Sequence, residues 1–278
     1  MKAATAPCLA DRAWSADDIP YERIDHARLR HDGILLSIVA TASFLEITSD
    51  AYTTTLADFF AEDADMVAWL TLTWQREELR HGLALKRYVE QAWPDFDWQA
   101  AYQDFHAEFL TFCSIAQLAP TRTLELAARC VIETGTAAFY RMLAKASPEP
   151  VLSALASAIS QDEIGHYKYF YRGFLRYQAQ EMPGRAAVAR TLWSRSLEID
   201  TEDLFYAYKH VHLARYRPST FEAEDYRSFC AESRRFARPH FPHRMASEML
   251  LKPLGLNVRL GQVLIPATSW AARTLLSH

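Results

Sequence analysis

Apolar residues recur three and four positions apart through most of this chain, the spacing that puts them on one side of an α-helix, and two-residue alternation is scarce. The expected elements follow from where that pattern starts and stops. Residues 1–30 mix Ala, Asp, Arg and single aromatics, interrupted by Pro7 and Pro20, and read as an irregular arm with one short helix over about 21–30. A first long helix is expected over about 32–60 with Asp32 as its N-cap, and a second from the acidic turn at 62–65 to about 92, closed by Trp93 and Pro94. A third spans about 98–116. A fourth starts at Pro120 and Thr121 and runs to about 147. After the break at Ser147-Pro148-Glu149-Pro150, a fifth reaches about 181. Pro183 and Gly184 separate it from a sixth over about 185–216, stopped by Pro218, and the tail holds a short helix, an arginine-rich stretch and apolar residues up to Leu276. The expectation is an all-α protein with an arm at 1–30, a main helical domain at 31–216 and a helical extension at 217–278 packed on it.

Within this frame, acids stand where the greasy pattern should exclude them. Glu46 follows the run 38–45, and Glu133 follows the run 124–132. A buried carboxylate costs several kcal/mol unless a cation or hydrogen-bond donors offset it. Glu78 and His81 are three apart, so a helix stacks them on one face, and Glu163 and His166 repeat the arrangement. One such pair has little meaning; the second copy gives it weight. The order Glu, Glu-x-x-His, Glu, Glu-x-x-His is the ligand set of di-iron and di-manganese carboxylate four-helix bundles. The steps from Glu46 to Glu78 and from Glu133 to Glu163 are 32 and 30 residues, which suits antiparallel hairpins that climb and return by roughly 22 Å. The longer step between Glu78 and Glu133 leaves room for a crossover helix. The fold expected is a ferritin-like four-helix bundle with that crossover and additional C-terminal helices.

Composition narrows the picture. Half of the 278 residues are hydrophobic, enough for a sizeable core, and only eight are glycine. A net charge of -4 points to neither nucleic acid nor an acidic membrane as a global partner. Cys8, Cys113, Cys130 and Cys230 show no C-x-x-C spacing, and Cys113 and Cys130 sit in apolar helical runs and read as reduced core residues, which suits the cytoplasm. No run reaches the ~18 uncharged apolar residues of a membrane span, and the N-terminus lacks a signal-peptide pattern.

Residues 74–88 read W-Q-R-E-E-L-R-H-G-L-A-L-K-R-Y. They closely resemble the second ligand helix of the soluble acyl-acyl-carrier-protein desaturases (the stearoyl type), W-x-x-E-E-x-R-H-G-x-x-L-x-x-Y. Trp74, Glu77, Glu78, Arg80, His81, Gly82, Leu85 and Tyr88 match in register; Tyr52 six after Glu46, Thr136 three after Glu133 and Asp162 before Glu163 agree as well. The resemblance covers about residues 40–170. It implies two iron ions held by Glu46, Glu78, His81, Glu133, Glu163 and His166, with Glu78 and Glu163 as bridging candidates and manganese also suited to the ligands. It further implies that Thr136 assists proton delivery, that Asp162 and Glu77 orient ligands, and that Trp74 lies on an electron route from a ferredoxin-type donor. The substrate implied is a fatty acyl chain, carrier-linked or free, and the assembly a homodimer. The chain is shorter than the plant enzymes, and Ile164-Gly165 replaces the polar pair expected between Glu163 and His166.

Other readings stand beside these. Thr136 also fits as a small residue for close packing beside Gly135, Tyr52 and Trp74 as core aromatics, and Cys130 as a core thiol. His210, His212, His240 and His243 could suggest a second metal, but Pro242 breaks helical spacing between His240 and His243, which argues against it. Arg234, Arg235, Arg238 and Arg244 suit either an acidic carrier protein or a solvated face. Ile159 stands where di-iron N-oxygenases add a histidine, and Leu85 where ribonucleotide reductase small subunits carry a tyrosine. An acyl hydroxylase, an aldehyde-deformylating oxygenase and a ferritin-like protein that binds iron or fatty acid remain the alternatives.

Overall fold

In the computed structural model every regular element is helical, and no strand occurs among the described residues, which are 14–29, 32–112, 118–197, 202–216 and 220–256. Cys8, Cys113, Pro218, the end of the third expected helix and the apolar tail lie outside them. The helices are α1 (His26–Leu29), α2 (Gly33–Ile47), α3 (Ser49–Phe59), α4 (Ala64–Trp69), α5 (Gln75–Ala92), α6 (Trp98–Phe112), α7 (Arg122–Ala146), α8 (Pro150–Glu181), α9 (Arg185–Leu197), α10 (Glu202–Arg215), α11 (Ala223–Ala237) and α12 (His243–Leu251). The all-α expectation holds. The chain divides into two units, Met1–Ala116 with Ala146–Ala158 and Asp200–Phe236, and Gln117–Lys145 with Ile159–Ile199 and Ala237–His278.

In the first unit α2 is the central element and packs against α5, α6 and α10. Asp32 caps it as expected, its carboxylate accepting from Leu35 N at 3.0 Å. Within Gly33–Phe59 an 18-residue window reaches a mean hydropathy of 1.5, as a membrane-crossing segment would. Glu46 and Asp50 keep it from being an uncharged run, and 72% of the window is buried inside the protein. It is also not the single helix expected over 32–60. Thr48 (φ -80, ψ 0) stands between α2 and α3 and interrupts the regular helix without glycine or proline, its hydroxyl donating to Leu45 O at 2.8 Å. The second expected helix contains a π-helical turn, Leu70–Trp74, between α4 and α5, the kind of irregularity that re-aims the residues after it.

Phe44 anchors the core of this unit, edge-on to Trp98 at 5.2 Å and stacked on Phe105 at 5.4 Å, while Trp98 Nε1 donates to Ser43 Oγ. Residues 14–29 are part of that core, since Trp14, Ile19, Tyr21, Ile24 and Leu29 are buried. Tyr21 donates to Ala84 O, and Asp17 pairs with Arg87 at 2.7 Å. Glu149, fully buried at the start of α8, caps that helix. Its carboxylate accepts from Val151 N, Leu152 N, Asp25 N and the Tyr88 hydroxyl, which binds the short turns before α1 to α5 and α8.

In the second unit α7 and α8 meet closely where Ser160 Oγ donates to Ala137 O at 2.9 Å. The N-terminus of α7 presents its amides to Glu181, which accepts from Arg122 N and Thr123 N, satisfying two donors that a helix start otherwise leaves open. Glu125 is fully buried and is neutralised one turn on by Arg129 at 2.7 Å. The last elements fasten to α8 and α9, Tyr167 of α8 donating to Met249 O in α12 and Arg185 of α9 to Gly255 O. The sixth expected helix, 185–216, is described as α9 in this unit and α10 in the first, with 198–201 outside the described residues.

Candidate metal centre

The six expected ligands fall into two sets of three, one in each unit, and each set comprises two glutamates and one histidine. In the first unit Glu46 lies one residue from the end of α2, and Glu78 and His81 lie on α5; all three are buried. Each offers a ligand atom within 4.8 Å of the others, and His81 Nδ1 is 3.7 Å from Glu46 Oε2. The two helices reach this distance because position 82 is glycine. A Cβ there would come within 2.5 Å of Ile47 Cγ1 and 2.8 Å of Ile47 N, which is backbone and cannot step aside. The His-Gly pair of the motif thus has a mechanical meaning, as the glycine lets α2 bring its carboxylate to the imidazole.

Trp14 completes this set, although nothing in the polar composition around it signals a role. Its ring stacks on His81 with an interplanar angle of 3° and centroids 5.9 Å apart. Arg80 lies over Trp14 at 4.8 Å and 3.5 Å from Glu77, so Glu77 and Arg80 steady the indole that flanks the histidine. Trp74 is buried at the end of the π-helical turn, one turn before Glu78.

In the second unit Glu133 on α7 and Glu163 and His166 on α8 are almost wholly buried. Their ligand atoms also lie within 4.8 Å of one another, with His166 Nδ1 3.6 Å from Glu133 Oε2 and 3.7 Å from Glu163 Oε2. The Thr136 hydroxyl donates to Glu163 Oε2 at 2.7 Å. Burial pushes the Glu133 carboxyl well above the usual carboxylate range; His166 opposes this and the like charge of Glu163 adds to it. Asp162 is half-buried beside Glu163 on α8.

The donor types fit a divalent metal. Carboxylate oxygen and imidazole nitrogen are the ligands that iron(II) and manganese(II) accept, and the imidazole and carboxylate oxygens of each set already face one another at just over 3.5 Å. Two divalent cations would balance four glutamates charge for charge. Buried Glu/His groups able to hold a metal ion are therefore present in both units.

The remaining candidates settle elsewhere. Tyr52 donates to Asp203 at 2.7 Å and packs edge-on to Phe109. Cys130 is a buried thiol whose pKa burial drives upward, as a core residue's is. His210 Nε2 is 2.6 Å from Glu108, and His212 sits 3.4 Å from the Tyr208 hydroxyl, so both are engaged outside the two sets. Arg234 and Arg235 belong to α11 in the first unit, whereas Arg238 and Arg244 belong to the second, where Arg244 pairs with Glu248 at 2.7 Å. No protein-family model, curated protein or solved structure matches this chain.

Proposed function

We propose that Glu46, Glu78, His81, Glu133, Glu163 and His166 are the ligands of a dinuclear iron centre in a ferritin-like four-helix bundle. On this reading the protein is an O2-dependent oxidase of fatty acyl chains, acting like the acyl-carrier-protein desaturases that residues 74–88 resemble. The observation that carries it is the repetition: each of the two units buries two glutamates and one histidine with ligand atoms within 4.8 Å. Three protein ligands leave coordination positions open, as a catalytic metal needs.

Bound iron would supply the reduction of O2 and the removal of hydrogen from an unactivated acyl chain. The protein's own groups prepare for that. Glu78 and Glu163, the acids of the two Glu-x-x-His pairs, are the candidates to bridge. Trp14 fixes the plane of His81 from one side, so the ring offers its nitrogens in one orientation. Thr136 holds a proton at Glu163 Oε2, an exchangeable hydrogen placed beside a ligand oxygen. Burial of all six ligands excludes water from the reacting groups. A ferredoxin-type donor, with Trp74 on the electron route, an acyl group on a carrier protein or free, and a homodimeric assembly complete the reading.

The test is to load the chain with iron, reduce it with a ferredoxin system and offer a C16 to C18 acyl carrier protein, with the lipid analysed by mass spectrometry. Loss of two hydrogens is the expected result. Gain of oxygen would make it a hydroxylase and loss of one carbon a deformylating oxygenase. Unchanged lipid with iron bound would overturn the oxidase reading in favour of a protein that stores iron or binds fatty acid.

A further inference from the structure

The overall charge of -4 conceals an uneven division. The second unit holds fifteen of the chain's 30 Lys and Arg residues but only seven of its 34 Asp and Glu, so it is strongly positive and the first unit strongly negative. The excess is densest over residues 164–197, where Lys168, Arg172, Arg176, Arg185, Arg190 and Arg195 stand against one acid, Glu181.

On α8, Lys168, Arg172 and Arg176 recur every four residues and are all exposed, which makes one basic row along the helix. Leu175 is exposed beside that row. Where α8 ends, Met182 takes the left-handed conformation, φ 46, and its side chain is 78% exposed. On α9, Val188 and Leu192 are buried, and the other side shows Arg190 with Trp193 at 67% exposure and Leu197 at 65%. Exposed basic side chains interleaved with a tryptophan and other large apolar groups suit a layer that is anionic at its face and apolar just beneath. Anionic headgroups attract such cations, and the indole and leucine gain by leaving water.

We propose that the exposed sides of α8 and α9 bind the surface of an anionic lipid bilayer. The arginines meet headgroup phosphates, and Met182, Trp193 and Leu197 enter the interfacial layer. The inference rests on charge and exposure in the second unit and is independent of the iron reading.

The full-length protein is mixed with vesicles of 30% phosphatidylglycerol in phosphatidylcholine, or of phosphatidylcholine alone, and its bound fraction is measured by flotation. Binding is expected only to the anionic vesicles and is expected to weaken as salt rises. The double variant Trp193→Ser with Leu197→Ser is expected to partition ~tenfold less, and Arg172→Glu with Arg190→Glu ~tenfold less or worse. These positions are exposed, so unchanged circular dichroism should confirm folding, and Leu110→Ser, at an exposed apolar position of the first unit, should leave binding unaltered. Absence of binding to anionic vesicles overturns the proposal, as does binding that both double variants retain. Salt-sensitive capture by polyglutamate without vesicle binding would also overturn it and assign the face to an acidic protein.

Discussion

The hydroxyl of Thr136 on α7 lies 2.7 Å from Oε2 of Glu163 on α8, where it donates a hydrogen bond to a carboxylate that is almost wholly buried. This contact separates the two readings of Thr136 that the sequence leaves open. Close packing beside Gly135 is not its purpose, because a Cβ at Gly135 would meet nothing within 4 Å. The side chain is turned toward the acid and histidine of its own unit.

Thr136→Val keeps the shape of the side chain and removes the donor. Metal content is expected to stay at the wild-type level while turnover per iron falls by ~100-fold, the lower end of what a positioned proton donor contributes. Thr136→Ser should recover most of it. Product formed per bound iron checks this, and full turnover in the valine variant would remove Thr136 from the chemistry.

The two Glu-x-x-His copies should respond oppositely to the same small change. Gly82→Ala would drive a methyl into Ile47, backbone included, and is expected to destabilise the protein by about 1–3 kcal/mol. It should also weaken metal binding at Glu46 and His81, because α2 and α5 must separate. Gly165→Ala places its methyl in open space on an exposed helical position and is expected to stabilise by up to about 1 kcal/mol. Denaturant midpoints of the two variants measure both effects.

The acid limb of stability should depend on Glu108. Burial raises its carboxyl pKa, but hydrogen bonds and charge from Lys209 and His210 outweigh this, and the net pKa is lowered on folding. A depressed carboxylate contributes stability above its unfolded pKa, about 4.3 for glutamate, and loses it as pH falls through the folded value. The difference in melting temperature between wild type and Glu108→Gln is therefore expected to be full at pH 7, to shrink below about pH 4.3 and to vanish when both states are protonated. A difference that grows toward acid would reverse the sign and contradict the pairing.

The helical class and most helix starts could be read from the sequence because apolar period and capping residues state them locally. Thr48 and the π-helical turn at 70–74 could not, since neither carries a glycine or proline that would mark it. Trp14 was hidden for a related reason: its surroundings are polar in composition, and only folding places it against His81. The cost of a buried acid picked out Glu46 and Glu133, yet Glu125 and Glu149 are equally buried and are satisfied by Arg129 and by backbone amides with Tyr88. Burial alone does not mark a ligand. What sets Glu46 and Glu133 apart is a histidine within 3.7 Å of each, and that partner is visible in sequence only through the Glu-x-x-His spacing of the two pairs.

Anaerobic titration with iron(II) followed by Mössbauer spectroscopy of the oxidised protein tests the proposed dinuclear iron centre most directly. Two irons per chain that are magnetically coupled are expected, with Glu46→Ala and Glu133→Ala each lowering the stoichiometry. Two uncoupled irons, a single iron, or unchanged occupancy in both variants would contradict it.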